Sequence, residues 1–463
     1  MILTYGMGVD STAILLHWLE NPASRAFKVY SVEEGMASPT YTYIGESSFD
    51  LRDLTVVTAM TGDEFPDLAT LVEKHVLPRM RAQGVRYVQI ARKAAKEKLV
   101  VLDDSRAPRK LFLEGAYKLS DDLLGAATVP QYRNNARRCS IKVKGEPLDA
   151  WISQEAAGRP FIQAIGFNSE EAVRVTTDLS YSKERWPVGQ KTSIYPLMWD
   201  WRWNREACIR YIKQVTGVDW PKSACVYCPF ASQESVIPRY EKYPDKAAFS
   251  LFIEYASRCL NPRQTLYSRG SLMEVIQQVG DRVSLKMFEK LLDRSSWVIY
   301  HVRRIYKTGY SKFTPRSVRI VAEGKRRDME SRLASYAPVT AEDGIPRAVL
   351  SVKVEGQPSL EELYVAAPRT MQNKEIPTFQ RQWEMAVRGD WSFLPVREEV
   401  EEDEEAEERE SPAISGVKTG NLAGYYDNDD DTERLAWERE MGPLFTLPED
   451  PGPIYVPWWR QNG

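Results

Sequence analysis

The opening of the chain sets the tightest constraint on its fold. A short apolar run, Ile2-Leu3, passes through Tyr5-Gly6-Met7-Gly8-Val9-Asp10-Ser11-Thr12 into the apolar stretch Ala13 to Trp18. Glycines permit a tight turn, and the apolar residues beyond them have the length of a helix packed on a sheet. The segment reads as a strand, a glycine turn and a helix opening at Asp10-Ser11-Thr12. Such a turn aims several backbone N–H groups and the positive end of a helix dipole at one point, which is where a phosphate sits. It is not a Walker A loop, because Gly-x-x-x-x-Gly-Lys-Ser/Thr is absent and no lysine follows the glycines.

The turn resembles Ser-Gly-Gly-x-Asp-Ser, the pyrophosphate loop of the N-type ATP pyrophosphatases and adenine nucleotide alpha hydrolases. Gly8, Asp10 and Ser11 match, Gly6 replaces the serine and Met7 replaces the middle glycine. The first change removes a hydroxyl, and the second narrows the room for close backbone approach. Further segments extend the resemblance in chain order. Val56 to Met60 reads as a buried strand running into Thr61-Gly62-Asp63-Glu64-Phe65-Pro66-Asp67, which is similar to a motif of phosphoadenosine phosphosulfate (PAPS) reductases. A helix from about Leu68 to Gln83, stopped at Gly84, and a strand from Tyr87 to Ala91 follow. Arg137-Arg138-Cys139-Ser140-Ile141-Lys142 with Pro147-Leu148 resembles the Cys-x-x-x-Lys-x-x-Pro-Leu element of the same family. A strand from Phe161 to Phe167 ends in Gly166-Phe167-Asn168, with Glu170, Glu171 and Arg174 beyond it, and Cys225-Val226-Tyr227-Cys228-Pro229 completes the set.

The resemblance covers residues 1–235 and implies an α/β fold: a doubly wound, mostly parallel sheet of the adenine nucleotide alpha hydrolase type. On it, ATP or PAPS with Mg2+ is expected at Tyr5, Gly6, Gly8, Asp10, Ser11, Thr12, Thr61, Gly62, Glu64 and Gly166. Asp10, Ser11, Arg137, Arg138, Cys139, Lys142 and Arg174 are the expected catalytic residues, the cations stabilising charge on the transferring phosphorus. The reaction it implies is cleavage of ATP between the α and β phosphates to activate an acceptor for sulfur or amine transfer, including nucleic-acid thiolation with a cysteine desulfurase or another sulfur donor. A sulfonucleotide reductase is the runner-up, although no cysteine follows Cys259 to serve as its C-terminal nucleophile. A non-catalytic nucleotide sensor is the third reading.

The five cysteines bound the redox chemistry. An odd number in a long chain argues against a disulfide framework. Cys225 and Cys228 have the spacing of a zinc or iron–sulfur ligand pair, or of a redox pair. Cys139, beside two arginines, is expected to have thiolate character. By resemblance these three would hold a [4Fe-4S] cluster, with Cys259 closing the site or one iron left open. The three histidines, His17, His75 and His301, form no catalytic or metal-binding pattern, and His17 and His75 are expected to be structural.

Residues 27–48 make a longer connection than such folds need and read as an inserted hairpin or lid. Residues 236–340 read as a basic helical domain. Its stretch His301 to Arg327 carries nine Lys or Arg against the single acid Glu323, interleaved with Tyr306, Tyr310 and Phe313. Bases with rings suit nucleic acid, and a solvated helix face is the competing reading. A small region, 341–396, precedes an acidic linker and aromatic tail, 397–463. Ten of the thirteen residues from Glu398 to Glu410 are acidic, a composition expected to be disordered. No run approaches about 18 apolar residues, and no secretory signal opens the chain, so no membrane partner and a cytoplasmic location are expected.

Overall fold

The computed structural model describes residues 1–34, 39–130, 132–133, 136–267, 270–307, 315–341, 343–352 and 358–394. The acidic run, the aromatic terminus and the expected nucleic-acid contacts Tyr310, Lys312 and Phe313 lie outside the described residues. The described residues form two compact units, one of residues 1–120 and 130–236, the other of residues 121–129 and 237–394.

The first unit is α/β. Its six-stranded sheet runs in the order Lys191–Ile194, Phe161–Ala164, Ile2–Thr4, Thr55–Met60, Arg86–Ala91, Val100–Ser105. The first five strands are parallel and the last is antiparallel. The chain thus starts at the centre, builds to one edge, and returns past Ile2–Thr4 to build to the other. The strands carry apolar side chains on both faces, as a parallel sheet covered on both sides requires. Because successive strand residues alternate in direction, Leu3, Val56 and Tyr87 join the core formed with helix Val9–Glu20, while Ile2, Val57 and Val88 join a second core with Leu148, Trp151 and Val175.

Prolines shape the helices that flank this sheet. The helical run expected over about 68–83 occurs as Pro66–Leu71, a π-turn Val72–Val76 and Leu77–Ala82. Pro78 lacks an N–H and its ring crowds the carbonyl four residues back, so the turn before it widens. The same happens before Pro147, where the π-turn Ile141–Gly145 leads into Glu146–Ala156. The long connection after the first helix is a two-stranded antiparallel hairpin, Ala26–Glu34 with Pro39–Ser48. It is tied down where the Lys28 amide donates to Asp200 (2.9 Å) and the Tyr30 ring meets Trp199.

In the second unit, the expected basic helical domain is corrected. Helices Gln233–Lys242, Pro244–Leu260, Leu272–Gln278 and Arg282–Arg294 are present, the first of them spanning the division between the units. The basic stretch itself lies in strands Trp297–Tyr306 and Arg316–Gly324. They belong to a five-stranded antiparallel sheet completed by Ser359–Pro368, Arg347–Ser351 and Val339–Thr340. Val298, Ile299, Tyr300, Val302, Ile305 and Tyr306 are β-branched or aromatic and favour a pleated surface; a count of charges alone hides this. Several of the bases are structural. Arg304 is buried against Glu361 (2.8 Å) and the Leu260 carbonyl, and Arg316 donates to the Ala126 carbonyl (2.8 Å), with burial pushing its guanidinium down to about 10. Arg326 bridges Glu289, Asp293 and Glu330. Arg303 lies over the ring of Phe379. Among the described residues, no helix is long and apolar enough to cross a membrane.

Candidate nucleotide cleft

A cleft opens at the carboxyl ends of Ile2–Thr4 and Phe161–Ala164, and is lined by Tyr5, Gly6, Gly8, Asp10, Ser11, Gly166, Phe167 and Arg174 among others. The first helical hydrogen bond runs from the Thr12 amide to the Gly8 carbonyl (3.0 Å), so the amides of Val9, Asp10 and Ser11 precede the ladder and stand at the positive end of the helix. The turn is held from outside. Trp220 donates from its ring nitrogen to the Met7 carbonyl (3.0 Å), and the Ser223 hydroxyl donates to the Gly6 carbonyl (2.9 Å). Met7 has φ 62°, a left-handed backbone that a glycine adopts without strain, and its side chain is buried. Glycine at the corresponding place in the resembling motif suits that backbone; here core packing and the Trp220 bond hold methionine in it.

Gly166 earns its place by proximity. A Cβ built on it would lie 3.0 Å from the Ser11 nitrogen and 3.2 Å from the Ser11 Cα. The strand end therefore abuts the start of the helix only because residue 166 has no side chain. Gly6, in contrast, has no atom within 4 Å of a Cβ placed there.

Three cations line the cleft: Lys144, Arg174 and Arg205. Arg174 was expected; it pairs with Glu171 and lies 4.4 Å from the Phe167 ring centre. The wide turn before Pro147 brings Lys144 to the lining, where Lys142 was expected, and the proline inside an otherwise helical pattern is the signal that could have found it. Arg205 opens helix Arg205–Thr216, which Asn204 caps by accepting from the Ala207 amide (3.0 Å), and it faces Asp10 at 3.5 Å. No local sequence feature announces Arg205.

Other expected nucleotide contacts do other work. The Thr12 hydroxyl is buried and donates to the Tyr5 hydroxyl (3.3 Å). Glu64 accepts from the amides of Thr61 (3.0 Å) and Gly62 (3.1 Å), folding its own turn. Gly62 has φ +87° and would drive a Cβ into Lys118. Asp63 accepts from the Ser120 amide and hydroxyl and from the Tyr227 hydroxyl (2.6 Å), so both acids knit the turn to its neighbours. None of Thr12, Thr61, Gly62, Asp63 and Glu64 lines the cleft. Arg137 is buried over Phe230, and Arg138 is exposed.

Three of the expected cysteines lie near one another: Cys228 acts electrostatically on both Cys139 and Cys225. Cys225 and Cys228 share a tight turn, the Cys228 amide donating to the Cys225 carbonyl (3.1 Å), and the Cys225 sulfur is 3.2 Å from the Thr61 hydroxyl. Burial pushes the Cys139 thiol up to about 11, with Cys228 adding to the rise and Arg137 opposing it, and burial pushes Cys225 well up too. Cys259 is fully buried in the core of the second unit, in one cluster with Leu260, Val298 and Tyr300. Among the described residues, no group of three or more His, Cys, Asp or Glu is arranged to hold a metal ion.

His17 is structural: its ring is enclosed by Trp201, Trp203 and Tyr211, and burial lowers its pKa to about 4. No protein-family profile, curated protein or solved structure matches this chain.

Proposed function

We propose that the first unit is a doubly wound nucleotide-binding domain of the PAPS reductase-like, N-type ATP pyrophosphatase kind, and that it binds ATP and cleaves it between the α and β phosphates. The observation that carries this reading is the convergence, in one cleft, of the glycine turn, the first amides of helix Val9–Glu20 and the cations Lys144, Arg174 and Arg205. The strand order supports it as well. Counting only the parallel strands in chain order, it is 5-4-1-2-3, and ligands of doubly wound sheets bind where that order reverses, at the carboxyl ends of the strands. That is where the cleft lies.

In this reading the Asp10 and Ser11 amides and the Ser11 hydroxyl hold the leaving pyrophosphate. Arg174 and Lys144 offset charge developing on phosphorus. Leu148, Ile165 and Phe167 offer an apolar wall for the base. An acceptor oxygen attacks the α phosphorus, pyrophosphate leaves, and a sulfur or amine nucleophile then displaces AMP. Mg2+, when bound with the nucleotide, supplies charge neutralisation on the phosphates.

Release of AMP and pyrophosphate from ATP, measured alone and with nucleic acid plus a persulfide donor, tests the proposal. Ser11→Ala removes a hydroxyl donor at the phosphate, and Asp10→Ala removes the carboxylate that holds Arg205 beside it. A hydrogen bond to a charged group contributes about 1.5–3 kcal/mol, so ATP affinity falls roughly tenfold or more. Unchanged affinity in both folded variants removes the pyrophosphate-loop assignment.

A further inference from the structure

We infer that Arg205 is the residue by which the cleft selects a nucleotide bearing two or more linked phosphates over a monophosphate, by bridging Asp10 to the outer phosphate. This inference rests on the nucleotide reading above and deepens it.

The starting point is an electrostatic conflict. Asp10 lies in the first turn of the helix whose amides would hold phosphate. A carboxylate there is stabilised by the helix dipole, but a phosphate at the same end is repelled by it. Both anions can occupy one helix end only with a cation between or beside them. Arg205 is so placed: it lines the cleft and its Nη1 is 3.5 Å from Asp10 Oδ2. That separation is longer than the 2.7–2.9 Å of a closed charge-assisted hydrogen bond, so the contact is a loose one. A guanidinium has five donors in a planar fork and can serve a carboxylate and a phosphate at once.

The placement is also rigid. Asn204 caps the helix that Arg205 opens. Cys208, Tyr211, Ile212 and Val215 of that helix share a core with Ala13, Leu16 and Leu19 of the helix carrying Asp10. The Arg205–Asp10 geometry is thus set by an apolar helix–helix interface rather than by a loop.

The consequence is two anion-holding points in one cleft. The turn amides take one phosphate and Arg205 takes the next. A nucleoside monophosphate or a single inorganic phosphate satisfies only the first.

The test is isothermal titration of the full chain with ATP, inorganic pyrophosphate and AMP, for the native protein and for Arg205→Gln and Arg205→Lys. The native protein is expected to bind ATP and pyrophosphate more tightly than AMP. In Arg205→Gln, ATP and pyrophosphate affinities fall about ten- to a hundredfold, the range of a lost hydrogen bond between charged groups, while AMP affinity holds. Arg205→Lys recovers part of the loss because charge returns without the fork. Far-UV circular dichroism of each variant verifies the fold. Equal loss for all three ligands, or no loss for any, overturns the role of Arg205 and leaves the nucleotide reading standing. Failure of the native protein to bind ATP or pyrophosphate overturns both.

Discussion

Adding a single methyl group at Gly166 is the most discriminating perturbation of this cleft. The Cβ of Gly166→Ala would stand 3.0 Å from the Ser11 nitrogen, 3.2 Å from its Cα and 3.3 Å from its Cβ, and two of those atoms are backbone that cannot swing aside. Carbon and nitrogen in contact prefer about 3.5 Å or more, so the strand end and the helix start must part by a few tenths of an ångström. Overpacking of a close-packed site costs about 1–3 kcal/mol. Because the displaced atom is the Ser11 amide that faces the cleft, ATP affinity falls with it, by roughly tenfold for each 1.4 kcal/mol of lost binding. Gly6→Ala is the control in the same turn. Nothing lies within 4 Å of its Cβ, and its backbone is not in the left-handed region. The unfolded chain loses freedom, so this change is neutral or stabilising by up to about 1 kcal/mol. Urea unfolding followed by circular dichroism gives both stabilities, and titration calorimetry gives both affinities. Equal stabilities for the two variants would refute the claim that the strand end and the helix start touch through Gly166.

Two further predictions concern stability. His17 is buried with its pKa lowered to about 4, against 6.5 in the unfolded chain, so below pH 6.5 the unfolded state binds the proton first and stability is lost as pH falls towards 4. The shift corresponds to about 3 kcal/mol, and a His17→Gln variant should show a shallower acid limb in urea titrations from pH 7 to 4; identical limbs would exclude His17 as the cause. Lys191 and Asp178 form an ion pair whose side chains are 1% and 0% exposed, with the Ser193 and Tyr195 hydroxyls also donating to Asp178. Removing one partner strands the other charge, so Asp178→Ala should cost about 3–5 kcal/mol in urea unfolding, while the double variant Asp178→Leu/Lys191→Met should cost less than either single change. A double variant worse than both singles would show that the surrounding hydroxyl network, not the charge pair, dominates.

Local chemistry explains what could be read from the residues. A glycine turn between an apolar run and an apolar helix, valine-rich strands, Gly84 after a helix, and the aromatic hairpin of residues 27–48 are each governed by interactions between near neighbours in the chain. Backbone propensity and side-chain periodicity act over a few residues, and so their signals survive in sequence. The same holds for Gly8, Asp10, Ser11 and Arg174, which stand beside elements whose ends were already legible.

Packing decided the rest. Whether a base is a ligand or a strut depends on what lies opposite it, and Arg304 meets Glu361 only once strand 297–306 pairs with 359–368. Thr12 looks like a phosphate donor until the helix packs its hydroxyl against Tyr5. Cys259 could not be assigned from spacing, because the fold that separates it into a second core is a property of the whole chain. Lys144 reaches the cleft through a turn widened by Pro147, and Arg205 through the contact of two helices far apart in sequence. The sequence by itself determined the turn and the elements around it, since those arise from local backbone and periodicity. Only the tertiary structure decided which charges face the cleft, because burial and ion pairing are set by residues that meet solely when the chain is folded.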